Sequence, residues 1–423
     1  MNIGFIGTGK LGMPCALAID MAGHDVFCYD VNPNNMQKEK FPHKEIGPNG
    51  ETSIEPLLQK SNLNFVGLPD VVKKSEIIFV AVQTPHDPRY EGITRIPEER
   101  VDFDYKYLVQ CIEDLSKHVD ENGEDKIVVI ISTVLPGTVR KHIFPVMSKR
   151  IKLCYNPFFI AMGTTIRDFL NPEFVLFGVH DENAAVKAEQ FYKTLHNRPL
   201  YKTSIENAEA IKVFYNTFIS SKISIANTIM EMSHKLPGCD CDEIMNALKM
   251  ATDRLISSKY LTGGMGDGGG CHPRDNIALS WLSRELDMSF DWFEAAMIQR
   301  EKQTDWLADL IINEKINNPE LPIFILGKAF KPETNLTVGS PSILLKNIIE
   351  ERGYSVEMYD PMIDQNTLAK GELMGRGIYF IGTQHKCFSH WNDFPEGSIV
   401  LDPFRFIPEQ LNDVKVIHIG KGV

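Results

Sequence analysis

Cysteine is scarce in this sequence, and the cysteines present show no disulfide framework. The 423 residues contain eight, at positions 15, 28, 111, 154, 239, 241, 271 and 387. The one close pair, Cys239 and Cys241, has no second pair at the spacing that a zinc site requires. We therefore expect no metal site, and we interpret every cysteine except Cys271 as a structural thiol.

Long apolar runs and an excess of positive charge are missing as well. No apolar stretch reaches membrane-spanning length, and a formal net charge of −12 argues against a nucleic-acid or anionic-membrane partner. The chain begins with an apolar strand pattern, so we expect no signal peptide and a cytoplasmic protein. With 43% hydrophobic residues, it has enough apolar side chains for the cores of two or three domains.

Glycine, by contrast, is concentrated in one stretch. Six glycines fall within positions 263–270, where each costs backbone entropy and buries no side chain, which favours close approach of the backbone to another group. The stretch ends in Cys271, and Pro273 with the apolar spacing after it predicts a helix. A helix N-terminus lowers the pKa of a thiol and stabilises an oxyanion, so Cys271 is a candidate nucleophile. The alternative is a flexible loop that carries a small buried cysteine.

The first thirty residues have the pattern of a dinucleotide-binding fold. An apolar strand over 3–6 runs into Gly7, Gly9 and Gly12 at the start of a helix, and a second strand over 25–29 ends at Asp30. The glycines let a pyrophosphate approach the helix N-terminus, and the acid accepts hydrogen bonds from the adenosine ribose. Because the acid also repels a 2′-phosphate, NAD is favoured over NADP. The alternative is a glycine turn in another kind of α/β protein.

Continuous apolar runs predict further buried strands. Those over 77–82 and 127–131 end in small polar residues, at the sheet edge where open α/β sheets bind ligands. A second open sheet is predicted from the runs over 322–327, 355–359, 378–381 and 399–401. The polar, proline-bearing stretch over 86–104 predicts a long surface loop, a candidate lid.

A long helix is predicted between the two sheets. Residues 204–235 contain neither proline nor glycine, and apolar side chains recur there at helical spacing. Such a helix favours a domain junction or a dimer interface. Lys212 and Asn216 are four residues apart and share one face of it.

In their order and spacing, these motifs resemble the UDP-glucose/GDP-mannose dehydrogenase family over nearly the whole chain. The resemblance is carried by Gly7-Thr8-Gly9-Lys10-Leu11-Gly12 with Asp30, Thr84-Pro85, Ser132-Thr133, Asn156-Pro157, Lys212 with Asn216, Lys222-Ile223-Ser224, Gly268-Gly269-Gly270-Cys271-His272-Pro273-Arg274-Asp275, Gly327-Lys328-Ala329-Phe330-Lys331, Ser340-Pro341 and Tyr359-Asp360-Pro361. It implies an α/β fold of two Rossmann-like open-sheet domains joined by a long central helix and a helical middle domain. The expected domains are an NAD-binding domain over 1–200, a central helical dimerisation domain over 201–300 and a C-terminal nucleotide-sugar-binding domain over 301–423.

The resemblance also implies an activity: a homodimer, joined through the central helix, that oxidises the primary alcohol of a nucleotide sugar to the carboxylate with two NAD. UDP-glucose is the expected substrate. The implied catalytic residues are Cys271, Lys212, Asn216, Asp275 and Thr133. The implied cofactor residues are Gly7, Gly9, Lys10, Leu11, Gly12, Asp30, Thr84, Pro85 and Ser132. The implied substrate residues are Lys212, Asn216, Arg254, Tyr260, Gly268, Lys331 and Arg405, with Arg254 reaching into the neighbouring subunit's site.

Several active-site positions depart from the family pattern. Phe158 and Met162 stand where the family has two glutamates, one of them the usual base for thioester hydrolysis. Asp267 stands where the family has an aromatic residue, and it is a candidate replacement for the lost acid. Near Lys331, the residues Asn335-Leu336-Thr337-Val338 lack an arginine that helps the family hold its cofactor. Two smaller departures are Arg274 in place of a lysine and Arg405 displaced by one position.

These departures leave three interpretations open. The first is the full oxidation to a uronate. The second is a different nucleotide sugar, or an oxidation that stops early because the base is missing. The third is a non-catalytic NAD-binding protein, against which the joint presence of Cys271, Lys212, Asn216 and Asp275 argues, since such a protein has no physical need for a buried lysine facing a thiol.

Overall fold

The computed structural model describes residues 1–423 except 96, 253–256, 258, 261, 267–268, 286, 289–290, 365–374, 392–393 and 422–423, and except the side chains at 228, 232 and 390. The chain divides into two compact units. Unit 1 comprises residues 1–85 and 103–214, and unit 2 comprises residues 86–102 and 215–423.

Unit 1 is built on an eight-stranded sheet. Its strands are β1 (Asn2–Ile6), β2 (Asp25–Tyr29), β3 (Asn64–Phe65), β4 (Ile77–Val80), β5 (Lys126–Ile130), β6 (Ile151–Tyr155), β7 (Val175–Val179) and β8 (Leu200–Thr203), in the order β3-β2-β1-β4-β5-β6-β7-β8. All neighbours pair in parallel except β6 and β7, which are antiparallel. The strand order reverses between β1 and β4, and such a reversal opens a ligand crevice at the carboxyl ends of the strands.

Helices cover the apolar strands of this sheet. They are α1 (Gly12–Met21), α2 (Glu55–Lys60), α3 (Leu68–Lys74), α4 (Lys106–Asn122), α5 (Thr165–Leu170), α6 (Glu182–Leu195) and the beginning of α7 (Ile205–Lys235). The core joins α1 to aromatic side chains of the sheet and of α6, among them Phe5, Phe79 and Phe191, all fully buried. Burial of each such ring stabilises the fold by about 1.5–3 kcal/mol.

Unit 2 contains a smaller, fully parallel sheet beside a group of helices. Its strands are β9 (Ile323–Leu326), β10 (Val356–Tyr359), β11 (Ile378–Ile381), β12 (Ile399–Asp402) and β13 (Lys415–His418), in the order β10-β9-β11-β12-β13. Its helices, besides the rest of α7, are α8 (Cys241–Lys249), α9 (Cys271–Glu285), α10 (Trp292–Asn317) and α11 (Pro341–Glu351). The predicted α/β class with two open sheets and a long helix is confirmed.

Five strands were not predicted: β3, β6, β7, β8 and β13. The strands β6 and β7 are mostly buried and are apolar runs like the predicted ones, so their signal was present in the sequence. The strand β3 has only two residues, and β8 alternates little and is half exposed, so neither carries a clear period-two pattern.

The stretch after β4 is largely irregular with several exposed residues, as predicted for a surface loop, but part of it packs on helices of unit 2. Residues 86–102, here called the strap, belong to unit 2. Tyr90 of the strap is 1% exposed. Arg300 of α10 donates to the backbone oxygen of Gly92 at 2.8 Å, and Asn347 of α11 donates to that of Ile93 at 2.6 Å. The backbone of the strap is thus hydrogen-bonded to helices distant in sequence, while polar side chains such as those of Arg89 and Glu99 stay exposed.

Among the described residues, no helix combines the length and the apolar character needed to cross a membrane.

The glycines before Cys271 are explained by close packing inside unit 2. A Cβ on Gly266 would lie 2.5 Å from the ring of Pro341, and a Cβ on Gly269 would overlap the ring of Phe330. The close approach predicted from composition therefore exists, and its partners are other segments of the same unit. Because these glycines have no side chain, their backbone packs directly against neighbouring rings, which fixes the stretch that leads into Cys271.

Substitution of Gly269 tests this packing. Gly269 and Gly353 both have positive φ, 98° and 86°, so alanine brings left-handed strain at both, but a Cβ on Gly353 meets nothing within 4 Å. We expect Gly269→Ala to lower the free energy of unfolding by about 1–3 kcal/mol more than Gly353→Ala, the range for overpacking. Urea denaturation measures both, and equal losses would show that the overlap is relieved at no cost.

Candidate active site and cofactor site

The three glycines after β1 occupy their positions for different reasons. Gly7 has φ of 92°, and a Cβ on it would lie 2.7 Å from the oxygen of Ala81. A Cβ on Gly12 would overlap the oxygen of Gly7. At Gly9, however, the nearest atom to a Cβ is 3.9 Å away, so the fold itself does not require glycine there. Open space before a bare backbone at a helix N-terminus fits a pyrophosphate.

Asp30 is held at the carboxyl end of β2 by three donors. Its carboxylate accepts the N–H groups of Thr8 and Asn32, both at 2.8 Å, and the side-chain amide of Asn35 at 3.1 Å. The side chain is 9% exposed. A carboxylate accepts about four hydrogen bonds, so acceptor capacity is left for a ribose hydroxyl. Together with the exposed Lys10, these residues fit a dinucleotide.

The carboxyl ends of β4 and β5 are tied together by two hydroxyl groups. Thr84 donates to the backbone oxygen of Thr133 at 2.7 Å, and Ser132 donates to that of Val82 at 2.5 Å. Thr84, Ser132 and Thr133 therefore lie together beside Pro85, as expected for neighbouring parallel strands. Their roles toward NAD and the sugar stay predictions.

One face of α7 carries buried polar side chains, here called the polar stripe: Glu209, Asn216, Ser220 and Asn227. Successive members are seven, four and seven residues apart. At 3.6 residues per turn, this places all four within about 20° of one line along the helix axis. They are 0%, 8%, 0% and 3% exposed, respectively. A buried polar group is costly without a hydrogen-bond partner, and each of the four has one.

In unit 2, the polar stripe binds α9. Asn216 donates its amide to Asp275, which is fully buried and forms a salt bridge with Arg274 at 2.8 Å. Four residues further along, Ser220 accepts the side-chain amide of Asn276 at 3.2 Å and lies 3.0 Å from Nδ1 of His272. Asn216 and Asp275, predicted separately as catalytic residues, are thus brought into direct contact.

Asn227 binds the glycine-rich stretch itself. Its amide donates to the backbone oxygen of Gly266 at 2.8 Å, and its Oδ1 accepts the N–H of Gly264 at 3.0 Å. The backbone that precedes Cys271 is therefore fixed by α7 on one side and by ring packing on the other.

Cys271 is the first residue of α9 and is exposed. It lies in the first helical turn, where backbone N–H groups lack helical partners. By contrast, burial raises the pKa of Cys111 and of Cys154 to about 12, so those thiols stay protonated at neutral pH. Cys387 is exposed as well, but partial burial of its thiol raises its pKa to about 11.

Lys212 lies in unit 1 on α7 and is 8% exposed. Its Nζ is 5.3 Å from the ring centroid of Phe159, within cation–π range. The neighbouring Phe158 packs on the ring of Phe169, with centroids 5.2 Å apart. The segment that carries glutamates in the family is therefore aromatic and core-facing at this position.

A carboxylate from elsewhere does contact this segment. Glu45, 3% exposed, accepts the N–H groups of Gly163, at 3.2 Å, and of Thr165. It serves there to satisfy backbone donors next to Met162 and at the start of α5, which is a structural use.

The turn that carries Lys331 is anchored by a buried acid. Asp360 accepts the N–H groups of Lys328 and Ala329 at 2.6 and 2.8 Å and lies 3.1 Å from Nε2 of His385. Burial raises the pKa of Asp360, but the bonds from His385 and from the backbone outweigh it and lower the pKa below its ordinary value. Lys331, half-buried, lies two residues beyond this anchor.

Arg405 is directed into unit 2 rather than toward a ligand. Its guanidinium donates to both carboxylate oxygens of Asp242, at 2.9 and 2.8 Å, and to the backbone oxygens of Gly263 and Ile419, at 2.9 and 3.2 Å. It also donates to the backbone oxygen of Pro403. All five N–H groups are thereby engaged, which makes Arg405 a structural residue and argues against its prediction as a substrate residue.

Four further positions singled out in the sequence remain. Tyr260 lies in an exposed turn with φ of 62°. Arg254 and Gly268, and with them Asp267, lie outside the described residues.

Sequence reasoning missed Glu209, Ser220, Asn227 and His385. The first three had a detectable signal, because polar residues recurring at seven, four and seven positions on an otherwise apolar helix indicate a buried polar face. His385 had none, since its partner Asp360 is 25 residues away and on another strand.

Removal of Asn227 tests how the glycine-rich stretch is held. Asn227→Ala leaves the N–H of Gly264 without this acceptor and the oxygen of Gly266 without this donor, so we expect a loss of about 2–4 kcal/mol in the free energy of unfolding. Asn207→Ala is the matched control, because Asn207 is an exposed asparagine on the same helix, where the loss should stay near 0.5 kcal/mol. Equal losses in denaturant titrations would refute this role of Asn227.

Comparison with known proteins places the chain in a family. Residues 1–196 match the UDP-glucose/GDP-mannose dehydrogenase family, NAD binding domain, and residues 206–300 match the family's central domain. A UDP-glucose 6-dehydrogenase of Bacillus subtilis is 29% identical over 374 residues, covering 86% of this chain and 80% of the relative. A GDP-mannose 6-dehydrogenase of Pseudomonas aeruginosa is 26% identical over 377 residues, covering 86% and 82%.

Solved structures agree with this fold. A UDP-glucose dehydrogenase from Pyrobaculum islandicum superposes with a TM-score of 0.83 at 23% identity, over 100% of this chain and 98% of that one. A UDP-D-ManNAc dehydrogenase from Pyrococcus horikoshii gives 0.80 at 24% identity over 99% of both. The family models cover more than half of the chain. The chain therefore belongs to the UDP-glucose/GDP-mannose dehydrogenase family, as an NAD-dependent nucleotide-sugar dehydrogenase.

Proposed function

We propose that this protein oxidises the primary alcohol of a nucleotide sugar to the carboxylate through a thioester on Cys271, using two NAD per sugar. UDP-glucose is the first candidate substrate, since relatives named UDP-glucose 6-dehydrogenase align with most of the chain. The observation that carries the proposal is the exposed thiol of Cys271 at the start of α9, one turn before the buried Asp275, which accepts the side-chain amide of Asn216 on α7.

The residues have distinct roles in this chemistry. The glycine turn and Asp30 would hold NAD, which would supply the hydride acceptor for each of the two oxidation steps. Between these steps, the Cys271 thiolate adds to the aldehyde carbon, and the carbonyl oxygen takes up the negative charge. Lys212 and Asn216 donate to that oxygen. Asp275 orients the Asn216 amide through their hydrogen bond, and Lys331 binds the sugar nucleotide.

Release of the thiol is the step for which the chain offers the fewest candidate catalytic groups. Water must attack the thioester carbon, which frees the Cys271 thiol and leaves the acid. Phe158 and Met162 offer no base, so Thr133, Asp275 and Asp267 remain as groups that could position the water. An oxidation that stops after one or two hydride transfers, or a different sugar, is the second candidate function.

The number of NADH formed per sugar decides between these candidates. With UDP- and GDP-hexoses, we expect two NADH per sugar and a uronate product from the wild type. Cys271→Ser should lower the rate more than about a thousandfold, because the nucleophile is lost. Cys387→Ser, which alters the other exposed cysteine, should behave as the wild type.

One NADH per sugar would identify an oxidation that stops at the aldehyde, and two NADH without free uronate would identify one that stops at the thioester. No NADH from any sugar, or an unimpaired Cys271→Ser variant, would refute the proposed function.

We also propose that α7 mediates a homodimer. Phe214, Phe218 and Ile225 are 50%, 49% and 54% exposed, and they lie on the face of α7 opposite the polar stripe. Three large apolar side chains in line on an exposed helix face are typical of an interaction surface.

A charge on this face tests the dimer. We expect Phe218→Glu to weaken self-association by about thirtyfold or more, the loss of an interface hot spot. The matched control is Ile316→Glu, since Ile316 is 60% exposed at the end of α10. Sedimentation equilibrium measures both, and a monomeric wild type or an unaffected Phe218→Glu dimer would rule out this interface.

A further inference from the structure

One buried carboxylate of unit 1 has no part in the chemistry above. Glu209 lies on α7, three residues before Lys212, and is fully buried. Its Oε2 accepts the N–H of Gly137 at 2.6 Å, and its Oε1 accepts the N–H of Val139 at 2.8 Å. Because a buried carboxylate is costly without hydrogen bonds, both contacts are required to keep it in place.

Those two N–H groups belong to the segment over 131–139, which leaves β5. The near end of this segment carries Ser132 and Thr133, fixed to the end of β4 by side-chain hydroxyls. The far end turns at Gly137, where φ is 89°. Glu209 binds at this turn, so the segment is held at both ends.

We propose that Glu209 is a positioning residue, whose carboxylate holds the 131–139 segment on α7 so that Ser132 and Thr133 keep a fixed position relative to Lys212. Lys212 follows Glu209 by one helical turn and belongs to the same unit. The inference rests on the proposed function for the roles of Ser132, Thr133 and Lys212. The contact of Glu209 with the segment does not depend on it.

The charges around Glu209 make this contact sensitive to pH. The pKa of Glu209 is raised from an ordinary value near 4.5 to about 7, chiefly by burial. The two backbone N–H groups and Arg140 oppose this rise, whereas Glu206 on the same helix adds to it. Above pH 7 the carboxylate accepts both N–H groups. Below pH 7 one oxygen carries a proton and is a poorer acceptor, so the segment is held less firmly.

The effect on folding stability has the opposite sign. Between pH 4.5 and 7 the folded protein binds this proton more tightly than the unfolded chain. The contribution of Glu209 to the free energy of unfolding is therefore greatest below pH 4.5 and decreases as the pH rises to 7. Acid thus stabilises the fold at this residue while it weakens the hydrogen bonds that hold the segment.

Hydrogen exchange of the full-length protein tests the proposal. We expect peptides over 131–143 to exchange at least about tenfold faster in Glu209→Gln than in the wild type at pH 8, since the neutral amide can accept only one of the two N–H groups. We expect the dissociation constant for NAD to rise at least about fivefold. Glu113→Gln is the matched control, because Glu113 is an exposed glutamate on α4.

At pH 6, after correction for intrinsic exchange, peptides over 131–143 should exchange at similar rates in the wild type and in Glu209→Gln. Equal exchange of the two proteins at pH 8 would overturn the contact, and faster exchange with unchanged NAD affinity would overturn the positioning role. If Glu209→Gln does not fold, Glu209→Asp and the wild type at pH 8 and 6 give the same comparison. None of these readouts requires turnover, so a protein that oxidises no sugar would refute the proposed function alone.

Discussion

The need to satisfy buried polar groups on α7 is the constraint on which the site depends. Four polar side chains of one helix are removed from water, and each must find a partner inside the protein. Their partners are backbone and side-chain groups of the segment after β5, of α9 and of the glycine-rich stretch. Within unit 1 the segment after β5 is therefore attached to α7, and within unit 2 so are α9 and the glycine-rich stretch.

An aromatic side chain contacts Lys212. The ring of Phe159, next to Phe158 in the chain, meets the ammonium through its quadrupole. A quadrupole carries no net charge, so this contact leaves the ammonium its positive charge. Phe158 and Met162 carry no acid or base, so a thioester on Cys271, as proposed above, would need another group to activate the water that hydrolyses it.

What could be predicted from the sequence was local. The turn at Gly7–Gly12, Asp30 after β2 and the helix that begins at Cys271 each depend on residues within one or two elements, and all are found in the structure. The contacts of the strap and of Arg405 could not be predicted because their partners are remote: Asn347 lies 254 residues from Ile93, and Asp242 lies 163 residues from Arg405. Composition describes such residues as polar, but it cannot say which other polar group they meet.

The strap also has a consequence for how the protein is made. Translation produces residues 86–102 early, but the helices that bind them extend to Glu351. Until α9 and α10 have been synthesised, Tyr90 lacks the apolar side chains that bury it, those of Ile277, Ala296 and Met297, although the strands on either side of the strap can already pair. The nascent chain must therefore carry this aromatic side chain without its core until those helices are made. Contacts between residues so distant in sequence also form slowly, which makes closure of the strap a late folding event.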